Sequence, residues 1–183
     1  MWRKLCQTIF FKWLGWQAEV TVRPCDKRVI CVAPHTSNWD FILAELYYTA
    51  IGRHAYFLMK KEWFFWPLNY LWTKMGGIPV DRGSKNSLTD QLAEKAKNSE
   101  HFELAVTPEG TRSRNTNWKM GFYFIALKAQ LPIHLYAIDY RRRSIICTRE
   151  IIPSGHIEAD MATIKSYYKD FTGRHPGKFA ISD

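Results

Sequence analysis

One local pattern repeats along the chain and limits what it can fold into. A short apolar run suited to a buried strand is stopped by proline or glycine and followed by a stretch of helical periodicity. Arg28–Ala33 is such a run, rich in β-branched residues and stopped by Pro34. Thr36-Ser37-Asn38 supplies helix-start residues, and Trp39–Ile51 then reads as a helix ending before Gly52. Tyr56–Met59, Ile78–Val80 and Leu104–Thr107 read as further strands, with Ser87–Asn98 and Phe122–Gln130 as helices. Ile133–Tyr140 and Ser144–Ile152 read as late strands joined by Arg141-Arg142-Arg143, and Met161–Phe171 as a closing helix. From Thr172 onward the chain is rich in Gly and Pro and is expected to be irregular. Strands alternating with helices predict an α/β fold: a mixed, largely parallel central sheet flanked by helices. No repeat, low-complexity tract or linker interrupts the pattern, so residues 1–183 are read as a single domain.

The composition permits a sizeable core, with 46% hydrophobic and 23% charged residues. The formal charge of +9 points to an anionic partner: nucleic acid, an acidic lipid surface or a phosphate-bearing substrate. The four cysteines have no zinc or CxxC spacing and read as free thiols, and no metal is implied. The first residues lack the apolar stretch of a signal peptide. The charge-free window Trp63–Thr73 falls well short of the ~20 residues that a membrane span needs. Two segments suit a membrane surface instead. Residues 1–14 read as an amphipathic helix that either docks on its own domain or lies in a lipid interface, presenting Trp2, Phe10 and Trp13. Residues 63–72 carry Trp63, Phe64 and Trp66 between flanking lysines Lys60, Lys61 and Lys74, and suit insertion beside anionic headgroups.

Three constellations fall at strand ends, where open α/β sheets place ligands. The first is Pro34-His35-Thr36-Ser37-Asn38-Trp39-Asp40. Across a loop-to-helix junction this spacing can return the Asp40 carboxylate to the His35 ring. A carboxylate on one ring nitrogen fixes the tautomer and makes the other a better base. The second, Gly76-Gly77-Ile78-Pro79-Val80-Asp81-Arg82-Gly83, delivers Arg82 to a turn. The third, Thr107-Pro108-Glu109-Gly110-Thr111-Arg112-Ser113, packs a carboxylate, a glycine, hydroxyls and a guanidinium together, which suits a phosphate or polar headgroup.

Taken in order, these residues resemble the phospholipid and glycerol acyltransferases, a family that includes the bacterial lysophosphatidic acid acyltransferases. His35 and Asp40, with four residues between them, are similar to the family's first motif, Gly76–Arg82 to its second, and Pro108–Ser113 to its third letter for letter. Pro132-Ile133 resembles the fourth more loosely. The likeness runs from about Arg28 to Ile152. Pro34 stands where the family often has Asn, and His134-Leu135-Tyr136 lacks the second proline common in the fourth motif.

The resemblance implies an enzyme that moves a fatty acyl group from acyl-CoA or acyl-carrier protein directly to a lyso-lipid, with no cofactor beyond that co-substrate. It implies His35 as general base, Asp40 as its orienting partner, and Arg82 and Arg112 as holders of an anionic headgroup. Glu109 and Gly110 would shape that pocket, and Thr111 and Ser113 would add polar contacts. Backbone N–H groups near His35 would be candidates for the oxyanion. The acceptor expected from the likeness is 1-acyl-glycerol-3-phosphate, on the inner face of the cell membrane, with a lyso-aminolipid or another lyso-lipid as the alternative. A thioester hydrolase would keep His35 but leave the arginines unexplained. A basic membrane or nucleic-acid binder would account for Arg141-Arg142-Arg143, yet no nucleic-acid-binding signature accompanies that run.

Overall fold

The computed structural model describes residues 1–80 and 88–181. Seven strands form one sheet in the order β1-β7-β6-β2-β5-β3-β4. These are β1 Gln17–Val20, β2 Lys27–Ala33, β3 Tyr56–Lys60, β4 Gly77–Val80, β5 Phe102–Val106, β6 Ile133–Asp139 and β7 Ser144–Ile151. Every pairing is parallel except β6 with β7, which are joined by the tight arginine turn. Helices α1 Trp2–Gln7, α2 Asn38–Ile51, α3 Leu68–Lys74, α4 Leu88–Asn98, α5 Gly121–Ala129 and α6 Ile157–Tyr168 surround it.

Side chains alternate across a strand, and both faces of this sheet are covered, so consecutive residues enter different cores. Val29, Cys31 and Ala33 of β2 join Ile133, Leu135 and Ala137 of β6 under α4, α5 and α6. Ile30 of β2 joins Tyr136 and Ile138 of β6 under α2 and the N-terminal helix. At the opening end of β2 and β5 a buried ionic cluster closes the core. Glu103 Oε2 accepts from Arg28 Nη2 at 2.7 Å and from the Tyr48 hydroxyl at 3.0 Å, while Oε1 accepts from Arg53 Nε at 2.7 Å. Removal of Glu103 would strand the buried Arg28 guanidinium.

Strand β1 departs from the sequence reading. Its residues Gln-Ala-Glu-Val are all exposed, so they carry no apolar alternation. Backbone bonds hold it at the sheet edge, among them Gln17 N–H to Arg143 O and Thr21 N–H to Cys147 O.

The N-terminal segment departs as well. Helix α1 passes into a π-helical turn, Thr8–Trp13, whose wider winding changes which residues share a face. The segment docks on its own domain, and Phe10 is not a membrane contact. It is 0% exposed and packs on Trp16 and Tyr47. Arg3 and Gln7 both donate to the Ala50 carbonyl, docking the segment on α2. Trp2 and Trp13 remain exposed.

The aromatic segment forms a short 3-10 turn, Lys61–Trp63, and then α3. Phe64 is half-buried, its ring tip 3.2 Å from where a Cβ on Gly77 would stand. Trp63 and Trp66 face outward with Phe65, Tyr70 and Leu71. Among the described residues no helix is long and apolar enough to cross a membrane.

Candidate active site

Strand β2 lies between β6 and β5, paired Ala33 to Ala137 and Cys31 to Val106. The three parallel strands therefore end side by side. Beyond them, one edge of the sheet gathers the His35 loop, the Glu109 loop and Tyr140.

Ser37 caps α2, and Asp40, at the third helical position, completes a capping box by reaching back over the loop. Asp40 Oδ2 accepts from the Thr36 N–H at 2.7 Å and the Ser37 N–H at 2.8 Å, while Oδ1 accepts from the Tyr140 hydroxyl at 2.7 Å. The same Oδ2 lies 3.2 Å from His35 Nδ1. The ring is turned off the line of a good hydrogen bond, so this contact is chiefly electrostatic. Burial works to raise the Asp40 pKa, but the nearby His35 ring, the Tyr140 hydroxyl and the Ser37 N–H outweigh it and hold the group below the usual carboxylate range. Asp40 is thus a charged, immobile neighbour for Nδ1. Because Nδ1 is buried, Nε2 is the ring nitrogen left to meet a substrate, on a side chain 18% exposed.

Glu109 does not face the solvent edge of the site. It is 0% exposed, and its Oε1 accepts from the His35 backbone N–H at 2.6 Å. Oε2 has no partner among the described residues. Burial pushes its pKa up to about 8; the His35 N–H bond opposes this, and the Asp40 charge adds to it. Glu109 is therefore largely protonated at neutral pH and acts from beneath the loop. The N–H groups of His35, Thr36 and Ser37 are all bonded to these two carboxyls, so none of the three can serve as the oxyanion donor expected near the first motif.

The rest of the third motif wraps over the surface. Gly110 adopts φ +64° in a turn closed by its N–H to Thr107 O, a conformation that favours glycine. Asn115 braces the loop by donating to the Glu109 carbonyl at 2.8 Å. Thr111, Arg112 and Ser113 are exposed, with Ser113 N–H on Thr111 Oγ1. Arg82 lies outside the described residues.

A family model for Acyltransferase matches residues 17–139. The chain belongs to this acyltransferase family. A solved structure, the 1-acyl-sn-glycerophosphate acyltransferase PlsC from Thermotoga maritima, shares the fold with a TM-score of 0.57 and 20% identity, over 93% of this chain and 81% of that one. None of the curated proteins compared with the chain matches it.

The arrangement places the His35 imidazole with the fixed Asp40 anion behind it and the exposed Arg112 loop beside it. Sequence reasoning missed Tyr140, the third donor to Asp40, and the C-terminal segment that packs on the His35 loop. Tyr140 N–H donates to Thr172 O at 2.9 Å, and His175 N–H donates to Thr36 Oγ1 at 3.2 Å. The only local hint was a tyrosine at a strand end.

Because folded Glu109 holds its proton more tightly than the unfolded chain, the wild type loses stability as pH rises from its ordinary value of 4.5 through about 8. Glu109→Gln carries no such proton. Urea midpoints should show wild type losing ground to Glu109→Gln between pH 5 and pH 8, and a constant difference would contradict the buried, protonated carboxyl.

Proposed function

We propose that this acyltransferase moves a fatty acyl group from acyl-CoA or acyl-carrier protein to a lysophospholipid-type acceptor, 1-acyl-glycerol-3-phosphate, in membrane lipid synthesis. The observation that carries this reading is the His35–Asp40 pair held beside the Pro108–Ser113 loop, whose Arg112 is exposed where a headgroup approaches. His35 Nε2 takes the proton of the acceptor hydroxyl as that oxygen attacks the thioester carbonyl. The tetrahedral oxyanion collapses, the C–S bond breaks, and the leaving thiolate recovers the proton from the imidazolium. Asp40 stays ionised throughout and stabilises that imidazolium. Arg112, with Arg82, pairs with the acceptor phosphate.

The lipid acceptor fits a membrane surface, here the inner face of the cell membrane. Trp63 and Trp66 are 52% and 84% exposed, beside Phe65, Tyr70 and Leu71 and the lysines Lys60 and Lys74. Interfacial Trp and Tyr with flanking cations favour the headgroup region of anionic bilayers. Trp2 and Trp13 form a second exposed aromatic set on the N-terminal segment.

Purified wild type should release thiol from palmitoyl-CoA only when 1-acyl-glycerol-3-phosphate is present, and His35→Ala should lower that rate by a factor on the order of a thousand. Release without acceptor would replace the transferase reading with hydrolysis. In liposome flotation with anionic lipid, the double variant Trp63→Ser, Trp66→Ser should bind several-fold less than wild type, and unchanged flotation would remove this face as the lipid contact.

A further inference from the structure

His35 stands at the end of the middle strand of three, and each neighbour brings a different surface to it. On the β5 side lies the loop carrying Arg112. On the β6 side lie Tyr140 and residues 172–175. The proposed reaction brings together two phosphate-bearing molecules. One is the acceptor, with its headgroup phosphate. The other is the thioester donor, whose pantetheine arm carries a phosphate whether the carrier is CoA or a protein. Both reacting groups meet at one imidazole nitrogen, so the two phosphates need separate cationic surroundings.

Arg174 is a cation on the β6 side. Its backbone is pinned to the His35 loop. Gly173 lies so close to Thr36 that a Cβ would stand 2.8 Å from Thr36 Oγ1 and 3.1 Å from Pro34 Cβ. The next peptide is tied by His175 N–H to Thr36 Oγ1, and the preceding one by Tyr140 N–H to Thr172 O. The Arg174 guanidinium sits 5.2 Å from the centre of the Trp39 ring, and its charge acts on the Tyr140 hydroxyl, which donates to Asp40. Stacking on a ring orients a guanidinium while leaving donors at its edge for an incoming phosphate. Arg174 is exposed and forms no ion pair among the described residues. Arg142 differs: it is paired with Asp139 at 3.5 Å and lies over Phe171. Trp39 and Ile42, exposed one helical turn apart on α2, give an apolar ledge beside Arg174 for the methylene-rich arm.

We infer that Arg174 binds the phosphate of the donor's pantetheine arm, on the side of His35 opposite the acceptor's Arg112. This rests on the transferase reading above and names a specificity contact within it.

The test compares palmitoyl-phosphopantetheine with palmitoyl-pantetheine, which lacks the phosphate, as donors to 1-acyl-glycerol-3-phosphate. Wild type should favour the phosphorylated donor about tenfold in kcat/KM, the scale of one hydrogen bond to a charged group. Arg174→Ala should erase that preference by raising the KM for the phosphorylated donor, with the acceptor KM unchanged. Arg174→Lys should keep part of it. A raised acceptor KM with the donor preference intact would reassign Arg174 to the acceptor phosphate and overturn the inference. Equal losses with both donors would make the segment a structural strap only and also overturn it. Wild type that transfers to no acceptor would sink the transferase reading itself, whereas active wild type with an unaltered Arg174→Ala variant would sink this inference alone.

Discussion

The Asp40 carboxylate is the interaction on which the site depends. It caps α2, binds two N–H groups of the loop that carries His35, accepts from Tyr140 at the end of β6 and faces His35 Nδ1. One buried anion thereby fixes helix, loop, strand and imidazole together. Desolvating a carboxylate is unfavourable, and only several well-placed donors offset it. Those donors also hold the carboxylate still, so the field that it exerts on the ring does not wait on a side-chain rearrangement.

The parallel sheet makes this convergence possible. Because β5, β2 and β6 run in the same direction and in register, three loops distant in sequence meet at one edge. Two acidic side chains share the work there with opposite charge states. Asp40, rich in donors, stays ionised, while Glu109, with a single donor and an Asp40 charge nearby, retains its proton. Together they occupy the N–H groups of three consecutive residues, His35 to Ser37, and make the loop rigid. The oxyanion formed in transfer must find its donors elsewhere in the site.

Much of this was legible in the residues. Apolar runs ended by Pro34 and Pro108 marked buried parallel strands, and the spacing from His35 to Asp40 anticipated a return across a capped helix start. Features set by distant contacts were not legible. Tyr140 meets Asp40 across 100 positions of chain, and His175 meets Thr36 across 139. The polar edge strand β1 has no side-chain pattern to read, because only its backbone is used. Phe10 misled because an apolar helix face suits lipid and a protein core equally, and here Cys6 and Phe10, one turn apart, are buried where the segment docks on α2. Glu109 looked like a pocket residue because its motif is polar, yet strand pairing carries its side chain beneath the His35 loop.

The central claim is that Asp40 holds His35 with its proton on Nδ1 and its lone pair on Nε2. Nitrogen-15 NMR of the histidine side chains, with His35 assigned by comparison with His35→Ala, reads that tautomer directly. The account predicts the Nδ1–H form for neutral His35 in the wild type and a mixture of the two forms in Asp40→Asn. A wild-type ring protonated on Nε2 would contradict it, because the nitrogen assigned as base would then carry the proton already.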